Sequence, residues 1–445
     1  MSETTGVVGV KSAGAFLVLL GVMLTTVSPA RAIPAFARKY GLPCSSCHEA
    51  WPMLNNFGQT FKDNGYQLGN GRDAPIYQQP EYWPITFRVT PQWHRETNGR
   101  TAVDQTPGNG GSGQIETSVT KSGFDTSSID MIAAGTLSNN ISFFVQPFIG
   151  TGSTFLSQAW VRFDNLAQSR WLNLKFGKFE LDQPISQERV LTLNNTGSPY
   201  YNYFFTPPGD SNFSPIGGSH LGAELSGHSE NDYTRYSVSL LGEYPTQTYS
   251  AYANFTQAFE IPKLGLQRIG AFGYLGEAPT YFQTSGGSPI QGAGLGNRSF
   301  YRAGVYGMWY LGKFDFQTFF QHGQDNVYLG NSVPANQPSA LPPGATGPSW
   351  NGGFVEAHYL YSPRLIAIGK YELIRMSQQA NPQVRSDLGN LDAWTVGYRW
   401  YPIMNPRAGL AWVQEYSRAL NAGTAPITGR YGIDSSFLMG FDFDF

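Results

Sequence analysis

The C-terminal segment of the chain alternates strictly between apolar and polar side chains. One face carries five apolar residues: Phe437, Met439, Phe441, Phe443 and Phe445. The other face carries small or acidic residues: Gly440, Asp442 and Asp444. A period of two predicts a β-strand with two different faces, and it is typical of strands that meet lipid on one side and a polar lumen on the other. A soluble β-sandwich, with its apolar face inside, would show the same alternation.

Segments of about ten residues with this pattern recur from Ile85 onward. They predict sixteen strands, an even number such as bacterial single-chain membrane barrels have. The predicted strands are 85–95, 124–138, 141–150, 155–165, 171–180, 219–228, 233–244, 250–260, 265–275, 299–311, 314–323, 351–362, 365–376, 391–401, 406–417 and 433–445.

The lengths of the links favour the barrel over the sandwich. The seven links that follow even-numbered strands are short, as at Gly312-Lys313, whereas most of the others are long, as at 181–218. Only the links after the third and seventh strands break this rule. Short turns on one rim and long loops on the other are typical of outer-membrane barrels. We therefore predict an all-β fold over residues 85–445, a 16-stranded antiparallel outer-membrane β-barrel whose two chain ends lie on the short-turn, periplasmic side.

The first 32 residues have the features of a secretory signal. Lys11 precedes an apolar run at 13–24, and Ala30-Arg31-Ala32 provides a small-x-small cleavage site. No later apolar stretch is long enough for a transmembrane helix, so any membrane crossing has to use strands. The expected location is the outer membrane of a Gram-negative bacterium, in contact with its lipid.

Charge is scarce in this chain. Charged residues make up 13% of it, against about a quarter in average proteins. Without Glu3, Lys11 and Arg31 of the signal, 27 basic and 30 acidic residues remain, a net charge of −3. The sequence therefore predicts that nucleic acid is not a partner.

Both cysteines of the chain lie in Cys44-Ser45-Ser46-Cys47-His48. This C-x-x-C-H spacing predicts one covalent c-type haem, with thioether bonds from Cys44 and Cys47 and with His48 as an axial ligand of the iron. Three alternatives are weaker. A disulfide would close a very short loop, a thioredoxin-like pair needs a βαβ context, and a zinc site needs further ligands that are not nearby.

Residues 33–84, which hold this motif, are too few to enclose a haem as a complete cytochrome domain does. One short amphipathic helix is predicted from the spacing of Leu54, Phe57 and Phe61, with a stop at Asn64-Gly65. The barrel lumen is the expected cover for the haem, because a sixteen-stranded barrel encloses a wide space.

Strand parity predicts which side chains face the lumen. Besides Thr86, Arg88 and Gln92 of the first strand, it places four arginines inside, either lining a channel or pairing with haem propionates: Arg162, Arg235, Arg302 and Arg399. The second axial ligand stays open. The candidates are Met53, His94, His220, His228 and His358, or no protein ligand at all.

The run from Phe36-Ala37-Arg38 through Lys39-Tyr40-Gly41-Leu42-Pro43 into the cysteine motif, followed by a barrel of this size, resembles the fused outer-membrane cytochrome–porins. Neutrophilic iron oxidisers carry Gln-Thr where this chain has Lys39-Tyr40. The specific resemblance covers residues 36–48, and the architecture extends it over the chain from residue 33. It implies an electron conduit in which an extracellular donor reduces the haem and a periplasmic cytochrome or other carrier takes the electron onward.

Three functions follow as hypotheses. The leading one is oxidation of an extracellular donor, with Fe²⁺ as the candidate, which would make the chain an iron:cytochrome oxidoreductase. The acidic residues of the long loops are scattered and form no evident iron site. The alternatives are a diffusion porin with a haem-bearing plug or redox sensor, and a conduit that passes electrons outward.

Overall fold

The structure, a computed structural model, describes most of the chain beyond the predicted signal. The described residues are 34–69, 73–78, 84–104, 114–150, 153–183, 185, 191–193, 216–242, 249–279, 282–283, 289–290, 297–324, 349–376, 391–404, 408–422 and 433–445. The signal (1–32) and the tyrosine-rich run at 200–205 lie outside them. No helix among these residues is both long and apolar enough to cross a membrane.

Sixteen antiparallel strands close into one barrel, as the sequence predicts. Consecutive strands are neighbours, and the last pairs with the first. The strands are β1 (Ile85–Asp104), β2 (Gln114–Ser138), β3 (Ile141–Gly150), β4 (Ser153–Phe163), β5 (Asn173–Glu180), β6 (Ser219–His228), β7 (Thr234–Gly242), β8 (Tyr249–Ile261), β9 (Gly265–Pro279), β10 (Asn297–Leu311), β11 (Phe314–Gln324), β12 (Ser349–Ser362), β13 (Leu365–Met376), β14 (Leu391–Met404), β15 (Gly409–Ala422) and β16 (Ile433–Asp444).

The two faces of the sheet are sorted as the alternation predicts. On β16, Asp442 is fully buried inside the barrel while Phe441 is 40% exposed on the outside. Large apolar side chains are exposed on the outer face of many strands, among them Phe155, Val238, Phe255, Phe320 and Val355. A closed sheet with an apolar exterior and a polar, buried interior is inverted relative to a soluble sandwich. The sandwich alternative is therefore excluded.

The rims are also sorted by link length. The turns after β10 and β12 are 312–313 and 363–364, and they lie on the same rim as the other short links. The long link predicted between the first two strands is largely strand, because β1 and β2 pair out to Asp104 and Gln114. β-branched residues such as Thr97 and Thr120, whose hydroxyls lie 3.0 Å apart, favour this extended hairpin.

Within the part of the chain that the structure describes, three short α-helices, a small hairpin and a 3-10 helix (Ile76–Gln78) precede the barrel. Helix α1 spans Pro34–Tyr40, α2 spans Cys44–Cys47 and α3 spans Asn56–Asp63. Strands His48–Ala50 and Met53–Leu54 form the hairpin between α2 and α3. The predicted helix through Leu54 was therefore too long at its start, and Phe57 is exposed rather than part of the buried face. The predicted stop is confirmed, since α3 ends at Asp63, Asn64 is its C-cap and Gly65 has a positive φ of 71°.

Candidate functional site

The N-terminal segment, residues 34–69, lies inside the barrel at its short-turn end. Inward-facing groups near that end of several strands bind it. The contacts are Arg38 Nη2 to Ile85 O (2.9 Å), Arg162 Nη2 to Lys62 O (2.8 Å), Arg268 Nη2 to Asn56 Oδ1 (3.0 Å), Gln317 Nε2 to Met53 Sδ (3.1 Å) and Arg399 Nη1 to Trp51 O (2.9 Å). The segment therefore fills this end of the lumen.

One anchor is at the tip of the hairpin. The carbonyl of Trp51 accepts hydrogen bonds from Arg399 and from the hydroxyl of Tyr401 at 2.8 Å. The guanidinium of Arg88 lies 5.2 Å from the centre of the Trp51 ring, a favourable cation–π distance. Arg399 also donates to Asp442 at 3.0 Å. The hairpin tip is thus tied to both β14 and β16.

A second anchor is at the end of α3. Arg235 Nε lies 2.7 Å from Asp63 Oδ2, and Arg162 donates to the carbonyls of Lys62 and Asp63. Cationic donors at the last carbonyls of a helix also interact favourably with its dipole. Burial raises the pKa of Asp63, but the neighbouring Arg235 outweighs it, so the pKa lies below the usual range of an aspartate.

The four predicted luminal arginines all face inward and are almost fully buried: Arg162, Arg235, Arg302 and Arg399. Their inward orientation is confirmed. However, their guanidinium groups are hydrogen-bonded to other groups of the protein. Arg162 donates to Asp164 at 2.6 Å, and Arg302 donates to the carbonyls of Tyr301 and Gln324. Arg162, Arg235 and Arg399 join the segment to the wall, which is a role that strand parity alone does not reveal.

Asn55 joins the cysteine motif to α3. Its side-chain oxygen accepts from Gly58 N at 2.8 Å and caps the helix, while its Nδ2 donates to the carbonyls of Ser45 and Ser46. Its main-chain N also donates to Cys47 O at 3.0 Å. The sequence carried a signal for this residue, since Asn is a preferred N-cap.

Gly58 lies where α3 crosses the end of α2. A Cβ at this position would lie 2.0 Å from the carbonyl oxygen of Cys47. Only glycine permits this approach. The helix therefore lies directly against the motif and helps to form one wall of a cavity.

That cavity lies between the motif and strands β3 to β5. Its volume is about 230 Å³, and it is partly open to solvent. Most of its lining is apolar and aromatic: Phe36, Tyr40, Phe61, Tyr66, Phe144, Trp160 and Phe179. Cys47 and His48 contribute to the lining from the motif side.

His48, the predicted iron ligand, is buried in the lining of this cavity. It is 7% exposed, and its Nδ1 donates to the carbonyl of Pro52 at 3.2 Å. Burial lowers the pKa of His48 to about 4, although hydrogen bonds to Pro52 and Met53 raise it. The ring is therefore neutral at pH 7, with its tautomer set by a backbone carbonyl, as is usual for a metal-bound histidine. With Cys47 and the apolar side chains, His48 gives the cavity the residue types that a c-type haem needs on this side. The side chain of Cys44, the other predicted attachment residue, lies outside the described part of the chain.

The candidate second ligands do not line this cavity. Met53 lies on the opposite face of the hairpin from Leu54, which does line it, and Met53 Sδ accepts from Gln317. Both ring nitrogens of His358 are bound to carboxylates: Nδ1 to Asp315, and Nε2 to Glu356 at 2.6 Å.

The other three candidate histidines also lie on strands of the barrel wall. His94 Nε2 lies 2.8 Å from Ser436 Oγ, and His228 Nδ1 donates to Ser229 O at 2.9 Å. The ring of His220 packs against Tyr274 with centroids 5.9 Å apart. The described residues also contain no group of three or more His, Cys, Asp or Glu side chains placed to hold a metal ion.

No protein-family model and no curated protein sequence matches the chain. Its fold is similar to those of solved porins. An anion-selective porin from Comamonas acidovorans has 11% identity and a TM-score of 0.49, with 81% of this chain and 98% of that chain covered. OmpF of Salmonella typhi, in complex with daunomycin, has 10% identity and a TM-score of 0.47, with 81% of this chain and 97% of that chain covered. OmpT of Vibrio cholerae, in its trimer form, has 10% identity and a TM-score of 0.45, with 82% of this chain and 99% of that chain covered. These similarities concern the fold alone.

Proposed function

We propose that this chain is an outer-membrane electron-transfer protein with one covalent c-type haem inside its barrel. The observation that carries the proposal is the apolar cavity between the C-x-x-C-H motif and the barrel wall, with Cys47 and His48 in its lining. A segment too short to enclose a haem alone gains its second wall from β3 to β5. Electrons would pass between an extracellular donor, with Fe²⁺ as the candidate, and a periplasmic carrier.

The membrane location is supported by the outer face of the barrel. Val238, Phe255 and Val355 are each about half exposed, and similar residues occur on the outer face of many strands. Exposing this much apolar surface to water would be costly. A bilayer removes the cost, and a closed barrel leaves no unpaired strand edge within it.

Different residues of the segment would bind the cofactor, shield it from water and fix its position in the barrel. Cys44 and Cys47 would tether the cofactor through thioether bonds, and neutral His48 would be a ligand of the iron. A haem supplies reversible one-electron chemistry when bound. Phe61, Tyr66 and the other aromatic side chains keep water from much of the site, while the contacts of Trp51 and Asp63 keep it at a fixed depth in the barrel.

The test uses the full-length protein in outer-membrane fractions. A pyridine haemochrome assay and a haem-stained gel should report one covalent haem, and Fe²⁺ added to intact cells should reduce it. Cys44→Ala and Cys47→Ala are matched controls, which should insert a heat-modifiable barrel without the stain. A wild-type barrel that carries no haem would refute the proposal. A haem that stays oxidised with Fe²⁺ at a permissive pH would refute only the iron assignment, and the measured potential would then decide whether the conduit runs outward.

A second candidate function is a diffusion porin with the segment as its plug. Side chains rather than backbone ladders hold the segment to the wall, so its removal would leave all sixteen strands paired. The polar luminal face would then line an open channel.

A further inference from the structure

The apolar cavity continues into a polar cluster on one side. Lys62, Lys175 and Trp160 line both spaces, and the polar one also contains Asp63, Arg162 and Glu224. The cavity is thus amphiphilic, with aromatic walls and two ammonium groups at one edge. Resting on the haem proposed above, we infer that Lys62 and Lys175 bind the two propionate groups of that haem.

Lys175 is held in place by the barrel wall. It lies on β5, is almost fully buried and pairs with Glu224 on the neighbouring strand β6. Its Nζ lies 4.7 Å from the ring centre of Phe179 and 5.4 Å from that of Trp160. Both rings line the cavity. The ammonium group is therefore fixed against the aromatic wall, where a carboxylate at the cavity edge would meet it.

Lys62 approaches the same edge from the segment. Its side chain is 26% exposed, and its Nζ lies 4.0 Å from Asp182 Oδ1. Its main chain is fixed because Arg162 donates to its carbonyl at 2.8 Å. One ammonium group thus comes from each side of the boundary between α3 and β5.

The chemistry of haem matches this distribution. Its macrocycle is apolar, and its two carboxylates lie on the edge opposite the vinyl groups, to which cysteine thioethers bond. Cys47 and the two lysines line the same cavity. Arg162 and Arg235 are not part of this lining. Lys62 and Lys175 also pair with Asp182 and Glu224, and each ammonium group has three N–H donors, so it can bind a second carboxylate. Buried carboxylates need charged partners, and the lysines provide them.

This pairing has an electrostatic consequence that can be measured. A propionate that loses its ammonium partner keeps an uncompensated negative charge near the iron in a medium of low dielectric constant. That charge stabilises the oxidised, more positive haem. Removing either lysine should therefore lower the midpoint potential of the haem.

The experiment compares redox titrations of full-length variants. Lys62→Met and Lys175→Met should titrate at a lower potential than wild type, with one covalent haem each by pyridine haemochrome. Lys62→Arg should retain the wild-type potential, because it conserves the charge. Since Lys175→Met leaves Glu224 buried without its partner, Lys175→Met is also made in a Glu224→Gln background. That double variant should titrate at a lower potential than Glu224→Gln alone. The matched control is Lys178→Met, three residues along β5 on its outward face, which should titrate as wild type does.

Haem-loaded Lys62→Met and Lys175 variants that keep the wild-type potential would overturn the inference and leave the proposed function standing. A fall in potential of the same size for Lys178→Met would also overturn it, because the effect would then reflect net charge. A wild-type protein without haem would refute the proposed function itself, and the inference with it.

Discussion

Gly58 limits how closely the motif and α3 can approach each other. Because a Cβ there would meet the backbone of Cys47 rather than a flexible side chain, a substitution has to move the helix or α2. Moving either element would shift the cavity wall that carries Cys47 and His48. A glycine inside a short helix is costly by propensity, so its presence here reflects this contact.

Gly58→Ala should loosen the segment while leaving the barrel intact. We expect about 2 kcal/mol of local destabilisation from overpacking, seen as faster proteolysis of residues 34–69. Gly123→Ala is the control, because nothing lies within 4 Å of a Cβ at that position on β2. Equal protease resistance of the Gly58 variant and wild type would contradict the assigned contact.

The hydrogen bonds to Trp51 O should differ in strength. Tyr401→Phe removes one neutral hydrogen bond and should cost about 1 kcal/mol. Arg399→Met removes a charged donor and leaves Asp442 with Arg88 as its remaining partner, so the cost should be about 3 kcal/mol. Urea titration of segment release, followed by Trp51 fluorescence, would measure both. A larger loss for Tyr401→Phe would contradict this account.

At the scale of elements, α3 is attached to the wall by an ion pair that depends on pH. Arg235 keeps the folded-state pKa of Asp63 below its ordinary value despite burial. Such a carboxylate contributes stability above the unfolded pKa of about 3.9, and the contribution is lost as the pH falls through the folded value.

Acid should therefore release α3 before it affects the strands. In wild type, protease sensitivity of the segment should rise below about pH 4. In Asp63→Asn the segment should already be sensitive to protease at pH 7, because the variant loses about 3 kcal/mol of local stability. Its protease sensitivity should change little on further acidification. Glu230→Gln, which removes an exposed pair with Arg170, should behave as wild type does. An unchanged acid profile in Asp63→Asn would contradict the role of the pair.

The strands were predictable because a period of two over ten residues is a local signal. The extension of β1 and β2 to Asp104 and Gln114 was not predictable, since the sequence at 96–104 and 114–123 is mostly polar and lacks the apolar–polar alternation. The His48–Ala50 hairpin was also missed, because two and three residues are too few to show a period. Partners such as Arg235 and Asp63 are far apart in sequence, and only the closed barrel brings them together.

On the scale of the whole molecule, the segment decides whether the barrel can conduct. Deleting residues 33–80 removes the groups that Arg162, Arg268 and Arg399 bind and should leave the sixteen strands paired. We expect ion conductance in planar bilayers to rise well above that of the full-length protein. A deletion variant that inserts, remains heat-modifiable and does not conduct would count against the porin alternative.

The seam between β1 and β16 limits the routes by which the segment can leave the lumen. Phe87 and Phe445 exchange two main-chain hydrogen bonds of 2.9 and 3.0 Å across it, so the closed wall has no unpaired strand edge at this point. The segment can therefore leave sideways only if a ladder of main-chain hydrogen bonds opens. The two ends of the barrel are the routes that leave every strand paired.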